Sequence, residues 1–587
     1  MAWKRALALL LALVFCLSLA GCGRREGGDA SASVEPESSA DRSAPVEDVS
    51  IPPREEEEEA LPFGLGYYEG LGLNPYTCDN VQNQSLMGLL YEPLYELDEH
   101  FEAQPVLAQS ISAKSHTEQR AVQEKKKKNG ETQTDTGEET KTKTQTVAVT
   151  DVTIRLREDA KFSDGATVRA DDVEYSLRRA AAKGSVYRTR LGSIRNLRSS
   201  GRSAVKFTID GGAQCVAELL DVPIIKNGDG DKLFPVGSGP YAAQRNKKGK
   251  LKALVANENW WRKGQEYQVA LSQGVSADES GEGVLTRTVE LPVQRIRIYN
   301  ASDSDELIFG FSSGAVTAVG SDLTAPDALG YLGGFDVTDY ATTDLLYLGC
   351  NTDEGPCQEK KLRGAIYRSI DRDTIVERMM AGHAEAACLP VHPNSALWDS
   401  ELAEKLVYNR EKAAKLCKDT EVASQLKLIV NKESEFKVAA AREVARHLET
   451  AGLDVKVERL SWKKYRTALK EGDYDLYFGE VLLSGNFDLS QLLLKGGSLN
   501  FSKYDSDELS AAEKSYRQAG RDTRAKAASK LFTLLSDEAP VVPVCFKSAS
   551  LLSRSGTLSR SRATQSNLFH WFWDWVLDED VVKASEG

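Results

Sequence analysis

Six histidines and nine cysteines have the widest chemical repertoire in this 587-residue chain, and their spacing argues against its use. The histidines are His100, His116, His383, His392, His447 and His570. None forms the His-x-x-x-His interval that places two imidazoles on one helix face, and no Cys/His cluster accompanies them. His392 stands in Val391-His392-Pro393, a turn-like context, and His570 within an aromatic run, Phe569 to Trp575. That run reads as a terminal segment docked on the body of the protein. Beyond Cys16 and Cys22, the cysteines are Cys78, Cys215, Cys350, Cys357, Cys388, Cys417 and Cys545, an odd set without a Cys-x-x-Cys pair. Cys350 and Cys357 flank a turn-like stretch and could bridge across it, but spacing does not decide; buried thiols are the default. No phosphate loop, nucleophile elbow or His-Glu-x-x-His pair appears, and Gly237-Ser238-Gly239 runs into Pro240, which lacks the backbone donor a phosphate needs. Glu92 and Asp488 could be imagined as paired acids, yet they lie in separate blocks. These residues point away from an enzyme, a cofactor and a metal centre.

The remaining reactive candidate is Cys22. Lys4 and Arg5 precede an apolar run from Ala6 to Leu17, too short for a comfortable membrane span, and then Leu19-Ala20-Gly21-Cys22. A secretory signal over 1–21 is expected. The last four residues resemble the lipobox of bacterial lipoproteins, which implies cleavage before Cys22, acylation of its sulfur and retention at the outer face of the cytoplasmic membrane. Residues 22–61 read as a flexible acidic tether. They are rich in Gly, Ser, Pro and acidic residues, including Glu55 to Glu59, and bury too little apolar surface to offset their ordering entropy. A coil of this length reaches roughly 35 Å.

Length exceeds what one hydrophobic core supports, so two or three lobes are expected. The chain is 41% hydrophobic with a mean hydropathy of −0.38. A net charge of −13 and a pI near 5.3 argue against nucleic acid or an anionic lipid surface as partner.

The elements that must position any site are clearest between 424 and 480. Leu426 to Val430 reads as a strand. Val438, Ala441, Val444, Ala445 and Leu448 then repeat at helical spacing, with Gly452 where a C-cap would stand. Val455 to Leu460 alternates as a strand, Trp462 to Leu469 forms a helix ended by Gly472, and Tyr474 to Phe478 is a further strand. This β-α-β-α-β run predicts parallel strands in an open α/β sheet, with ligands beyond the strand carboxyl ends. Upstream, Lys361 to Ser369 and Thr374 to Met380 read as two amphipathic helices, with Asp373 as N-cap and Gly382 at C′. Residues 113–147, with Lys125 to Lys128 and a Thr/Lys/Glu/Gln tract, lack periodicity and read as a mobile surface insertion.

Several blocks together resemble one family. Leu73-Asn74-Pro75, Leu90 to Leu94 and Pro105 to Ala108 are similar to the opening of the family 5 extracellular solute-binding proteins, the oligopeptide, dipeptide and nickel receptors of ATP-driven importers. Leu156 to Gly165 resembles the most distinctive block of that family, followed by Ala170 to Val173 and Ser176. Pro235 to Tyr241, Asn259-Trp260-Trp261, Leu348 to Asn351, Arg363 to Ile366 and Ile370 to Arg372 complete the order. The resemblance runs from about residue 62 to 550. It implies an α/β, two-lobed periplasmic-binding-protein fold of type II, with hinge-linked lobes and an extra subdomain in lobe I. Lobe I is expected over 62–90, 232–343 and 540–587, the extra subdomain over 91–231, and lobe II over 344–539. Two strands should cross between lobes, near Leu345 to Asn351 and Val541 to Phe546.

By resemblance, such a protein is a monomer that closes its lobes on a peptide or other small molecule and presents it to the permease subunits of an ABC importer. The membrane is reached through the N-terminal lipid. A ligand-sensing or surface-interaction lipoprotein without a transport role is the alternative. The residues expected at the ligand are Tyr76, Asn351, Glu480, Gly485, Asn486 and Asp488. In peptide-binding relatives a Trp-rich strand end leads to an Asp that pairs with the peptide amino group, followed by Asp-Pro. Here Asp488 matches the Asp of Asp-Pro with Leu489 in place of proline, the amino-binding position falls on Gly485, and the Trp position is aliphatic. A buried ammonium would lack its charge partner there. Either another acid such as Glu480 substitutes, or the ligand is not an ordinary free peptide.

Overall fold

Residue alternation and helix periodicity resolve into ordered elements in a computed structural model, which describes residues 61–123, 142–211, 216–270, 284–325, 330–331, 333–420 and 425–586. The leader, the tether and Cys22 lie outside the described residues. Chain order begins with β1 (Gly64–Tyr68) and a small hairpin, β2 (Tyr95–Leu97) and β3 (Ala103–Pro105). Two long strands follow, β4 (Ala108–Gln123) and β5 (Thr142–Leu156), then α1 (Ala170–Ala180), β6 (Arg195–Ser199) and β7 (Ala204–Asp210). Together β4-β5-β7-β6 form a four-stranded antiparallel sheet. Val152, Ile154 and Leu156 bury every second side chain of β5 against α1 residues such as Val173 and Leu177.

Residues 113–123 and 142–147, read from sequence as part of a mobile surface insertion, form the outer halves of two paired strands. β4 and β5 pair in register from Ala108↔Leu156 out to Gln123↔Thr142. Their polar, Thr- and Lys-rich outer halves form a ladder without an apolar period, held by the hydrogen bonds that the two strands exchange at alternate pairs. Residues 124–141 lie outside the described residues.

The main sheet begins with β8 (Tyr241–Arg245), β9 (Leu251–Ala256), β10 (Arg295–Ala301) and β11 (Ala318–Ser321). It continues through β12 (Phe335–Cys350), β13 (Leu426–Asn431), β14 (Val455–Leu460), β15 (Leu476–Leu482) and β16 (Val541–Arg554). Their order is β14-β13-β15-β12-β16-β11-β1-β10-β9-β8. β13 runs parallel to β14 and β15, as the alternation predicts. The helix between β13 and β14, α2 (Glu435–Thr450), buries Val438, Ala441, Val444, Ala445 and Leu448 and is capped by Ser434, whose hydroxyl accepts from Lys437 N. After β14, α3 (Trp462–Glu471) ends on Gly472 at φ +81°, left-handed backbone that glycine adopts without strain.

One expectation about caps is corrected upstream. The segment after residue 370 is a short turn over Arg372–Thr374 followed by a wider one over Ile375–Met379, and its cap is Asp371, not Asp373. The Asp371 carboxylate accepts from Thr374 N and Oγ1. Gly382 sits at φ +83° where the chain leaves this segment.

Two large hydrophobic cores lie along the sheet. One gathers β13, β15, α2 and the ends of β12 and β16 nearest them, around Leu348, Leu428, Phe478 and Val542. The other gathers β1, β10 and the four-stranded sheet, around Leu65, Ile154, Phe207 and Ile296, and receives Phe572 of the C-terminal aromatic run against Phe63 and Tyr241. β12 and β16 pair antiparallel from Phe335↔Arg554 to Gly349↔Val541 and join the two lobes. Their register shifts between Ala341 and Leu345, where the ladder passes from one core to the other. The six described cysteines outside the leader, including Cys350 and Cys357, are buried thiols.

Candidate ligand-binding cleft

A cavity of about 840 Å³ opens between the lobes, within the range of sites for peptides and other small solutes. One wall comes from residues 81–101 and 186–223, the opposite wall from 481–499 with Tyr516 and Arg517, and the floor from Tyr340 and Thr564–Leu568. The floor is tied to both sides. Gln565 accepts from Thr343 N at 2.6 Å and donates to Thr343 Oγ1 at 3.0 Å, and that hydroxyl donates to Leu483 O.

The structure brings Gly485, Asn486 and Asp488 together on the wall that follows β15. A Cβ built on Gly485 would collide with Cδ1 of Leu97 from the opposite wall, so this glycine marks a close approach of the lobes. The Asn486 side chain accepts from Ser484 Oγ at 2.6 Å, and its backbone carbonyl accepts from Tyr516 Oη at 3.0 Å and Arg524 Nη2 at 2.7 Å. Asp488 accepts from Ser490 N at 2.8 Å and has no ion-pair partner among the described residues.

Tyr76, Asn351 and Glu480 are held elsewhere. Tyr76 is buried and its hydroxyl donates to Pro223 O behind the wall. Asn351 is buried at the end of β12, where its amide donates to Gly472 O and Tyr474 O and its carbonyl oxygen accepts from Asp353 N and Glu354 N. Glu480 faces Lys437 at 2.8 Å and Lys547 at 3.3 Å. Burial raises its pKa, but the two ammonium groups outweigh that and hold the carboxyl well below its usual range. Asp344 alongside is pushed up by burial and by Glu480 itself. These bonds make Glu480 part of an ionic cluster near the strand crossing, not a free acid for a ligand.

Sequence reasoning missed most of the cavity's charged residues. Glu96 accepts from Asn567 Nδ2 at 2.6 Å and lies 3.1 Å from His570 Nδ1; burial opposes ionisation, yet these partners hold the carboxyl below its ordinary value. Asp221 pairs with Arg190 at 2.5 Å, and burial still raises its pKa. Arg517 lies 2.6 Å from Glu513, a fully buried carboxyl pushed up to about 7 by burial, with Arg517 opposing and Asp488 adding to the shift. These residues come from distant stretches without a shared spacing, so no local signal marks them. Glu92 is bound by the Trp260 and Trp261 indoles at 2.9 Å. No group of three or more potential metal ligands forms among the described residues.

The family model for bacterial extracellular solute-binding proteins, family 5 Middle, matches residues 105–500, more than half of the chain. The chain belongs to this family. A curated family-type relative, the oligopeptide-binding protein AppA of Bacillus subtilis, is 22% identical over 359 residues, 55% of this chain and 60% of AppA. The matched stretch thus spans somewhat under two thirds of that relative. Among solved structures, the ABC transporter substrate binding protein CtaP from Listeria monocytogenes aligns with a TM-score of 0.63 at 16% identity, covering 89% of this chain and all of that one (100%). A nickel ABC transporter protein from Bacillus halodurans aligns with a TM-score of 0.61 at 19% identity over 87% of this chain and 98% of its own. The family 5 chain has the two-lobed α/β periplasmic-binding-protein fold, and its relatives are binding proteins rather than enzymes.

Proposed function

We propose that this family 5 protein is the substrate-binding receptor of an ABC importer, anchored through lipid on Cys22, which captures a peptide-like or other small solute between its lobes and hands it to a membrane permease. The observation that carries this reading is the 840 Å³ cavity walled by both lobes, with its floor hydrogen-bonded to the crossing strand β12. Lobe I corresponds to 62–90, 232–343 and 540–587, its extra subdomain to 91–231, and lobe II to 344–539. Ligand bound across the two walls stabilises the closed form, and closure is what a permease recognises. No covalent step is needed.

Gly485, Asn486 and Asp488 form the ligand-facing edge of lobe II. Asp488 takes the role of a carboxylate for a positively charged ligand group, because the other acids on the walls already have partners. Asp221 pairs with Arg190, Glu96 with His570 and Asn567, and Asp98 accepts from three donors in its own hairpin. A charge-assisted hydrogen bond of this kind contributes about 1.5–3 kcal/mol. Native mass spectrometry and calorimetry of the acylated protein with a random peptide library test this. Peptides with a free amine should bind, and Asp488→Asn should weaken them by roughly tenfold or more. Unchanged affinity in Asp488→Asn would remove Asp488 from the site, and failure of every peptide to bind would move the ligand to another class. Cys22→Ala should abolish acyl labelling; an unlabelled wild type would remove the anchor from this reading.

A further inference from the structure

The hairpin β2–β3 reaches out of one lobe and buries its tip in the other. Its five-residue tip, 98–102, is closed by Asp98 N donating to Glu102 O at 3.1 Å and Phe101 N donating to Asp98 O at 3.0 Å. The Asp98 carboxylate accepts from His100 N and Glu102 N at 2.9 Å and from Gln104 Nε2 at 2.7 Å, so the turn is tied by hydrogen bonds within the hairpin itself. This geometry sets Phe101 at φ +62°, left-handed backbone that a bulky residue rarely adopts.

A phenylalanine on a loop tip would normally be exposed, yet Phe101 is only 6% exposed, and the core it joins is that of the opposite lobe. Its ring centroid lies 5.2 Å from His392 and 5.3 Å, edge-on, from Phe487. Both of those rings pack on Phe546 of the crossing strand β16, at 5.3 and 6.2 Å. Phe487 is itself left-handed at φ +50°, so two strained non-glycine residues meet across the lobe boundary. The neighbouring His100 adds a polar contact, Nδ1 to Asn394 O at 3.0 Å.

The same hairpin forms part of the cavity wall through Glu96, Leu97 and Asp98. Leu97 packs where any side chain at position 485 would stand. Its root is held by Glu96, bound to His570 and Asn567. A rigid element that lines the cleft on one side and plugs the far lobe on the other links the cleft to the relative position of the lobes.

We propose that Phe101 is an interlobe latch, whose ring, seated among His392, Phe487 and Phe546, holds the cleft closed and so sets how readily it opens. The inference rests on the reading of the cavity as a ligand cleft, but the latch acts in the ligand-free chain and is tested there. Opening withdraws the ring into water and exposes its apolar seat, a cost that favours the closed form. A ligand touching Leu97 or Asp98 adds to the same closure.

Hydrogen exchange read by mass spectrometry on the ligand-free full chain tests the proposal. Phe101→Ala should raise exchange by about tenfold or more in peptides covering the seat, residues 389–398 and 484–490, while α2 and β13 keep wild-type protection. Phe101→Leu, which retains apolar bulk on the same turn, should lose less. Should Phe101→Ala lose protection throughout, the Leu variant carries the test, with a smaller rise confined to the seat expected. Wild-type exchange at the seat in both variants, or a loss in Phe101→Leu spread evenly over α2 and β13, would overturn the latch.

Discussion

Gly485 and Asn351 show at the residue scale how one side chain, or its absence, acquires a role from its surroundings. Asn351 was expected at the ligand, but its amide stitches the end of β12 to Gly472 and Tyr474, so it positions a lobe. Gly485 was expected to mark a missing carboxylate. The structure adds that Leu97 occupies the space its side chain would need. Gly485→Ala should therefore weaken closure as well as alter chemistry, by about 1 kcal/mol of overpacking at the lobe contact. Leu97→Ala made with it should recover most of that loss. A double-mutant cycle on thermal stability and seat exchange checks this, and additive single effects would show that the two residues do not meet. An acid placed at 485 meets the same leucine, so restoring the carboxylate of peptide-binding relatives is not a simple addition.

His392 carries the argument at the element scale, because its turn forms the seat of the β2–β3 hairpin. Its Nδ1 accepts from Asn394 N at 3.1 Å, and burial pushes its pKa down to about 4. The ordinary value for histidine is about 6.5. The packed form thus binds fewer protons than the undocked or unfolded one. The stabilisation from neutral His392 is present above about pH 6.5 and is lost as pH falls toward about 4. Glu513, raised to about 7 by burial, acts in the opposite direction, since its folded form takes up a proton first as pH falls. A global denaturation curve mixes the two, so the measurement belongs on the imidazole. Histidine NMR of the native chain should show His392 titrating near 4. A native midpoint near 6.5 would mean that the ring is not sealed between Phe101 and Phe546.

The fold of the whole molecule turns these local contacts into a binding device. Two lobes share one sheet, and β12 and β16 connect them through a ladder whose register shifts between Ala341 and Leu345 and again between Leu346 and Tyr347. A ligand filling the cleft should compact the protein in small-angle scattering and raise its melting temperature. At a free concentration one hundred times the dissociation constant, mass action stabilises the closed form by about 2.7 kcal/mol. A ligand of proven binding that left both shape and melting temperature unchanged would argue against closure.

Sequence alone determined the features set over short range. The strands and helices between 426 and 478 announce themselves through apolar spacing and glycine caps, and ordered motifs along the chain carry the family and hence the two-lobed α/β fold. There the structure moved the last strand to Leu476–Leu482, and upstream it replaced the helix expected after residue 370 by two short turns capped by Asp371. Tertiary structure decided what depends on distant partners. The polar ladder of β4 and β5 has no apolar period, since it is set by backbone pairing with a distant strand and not by burial of one face. The charges of Arg190, Asp221 and Arg517 reach one cavity only after the chain has folded. Phe101 lies in the sequence among Asp98, Glu99, His100 and Glu102, with no apolar neighbour within three residues before it or one after it. Its burial in the opposite lobe is a contact across more than 280 residues, from Phe101 to His392, which chain folding alone creates.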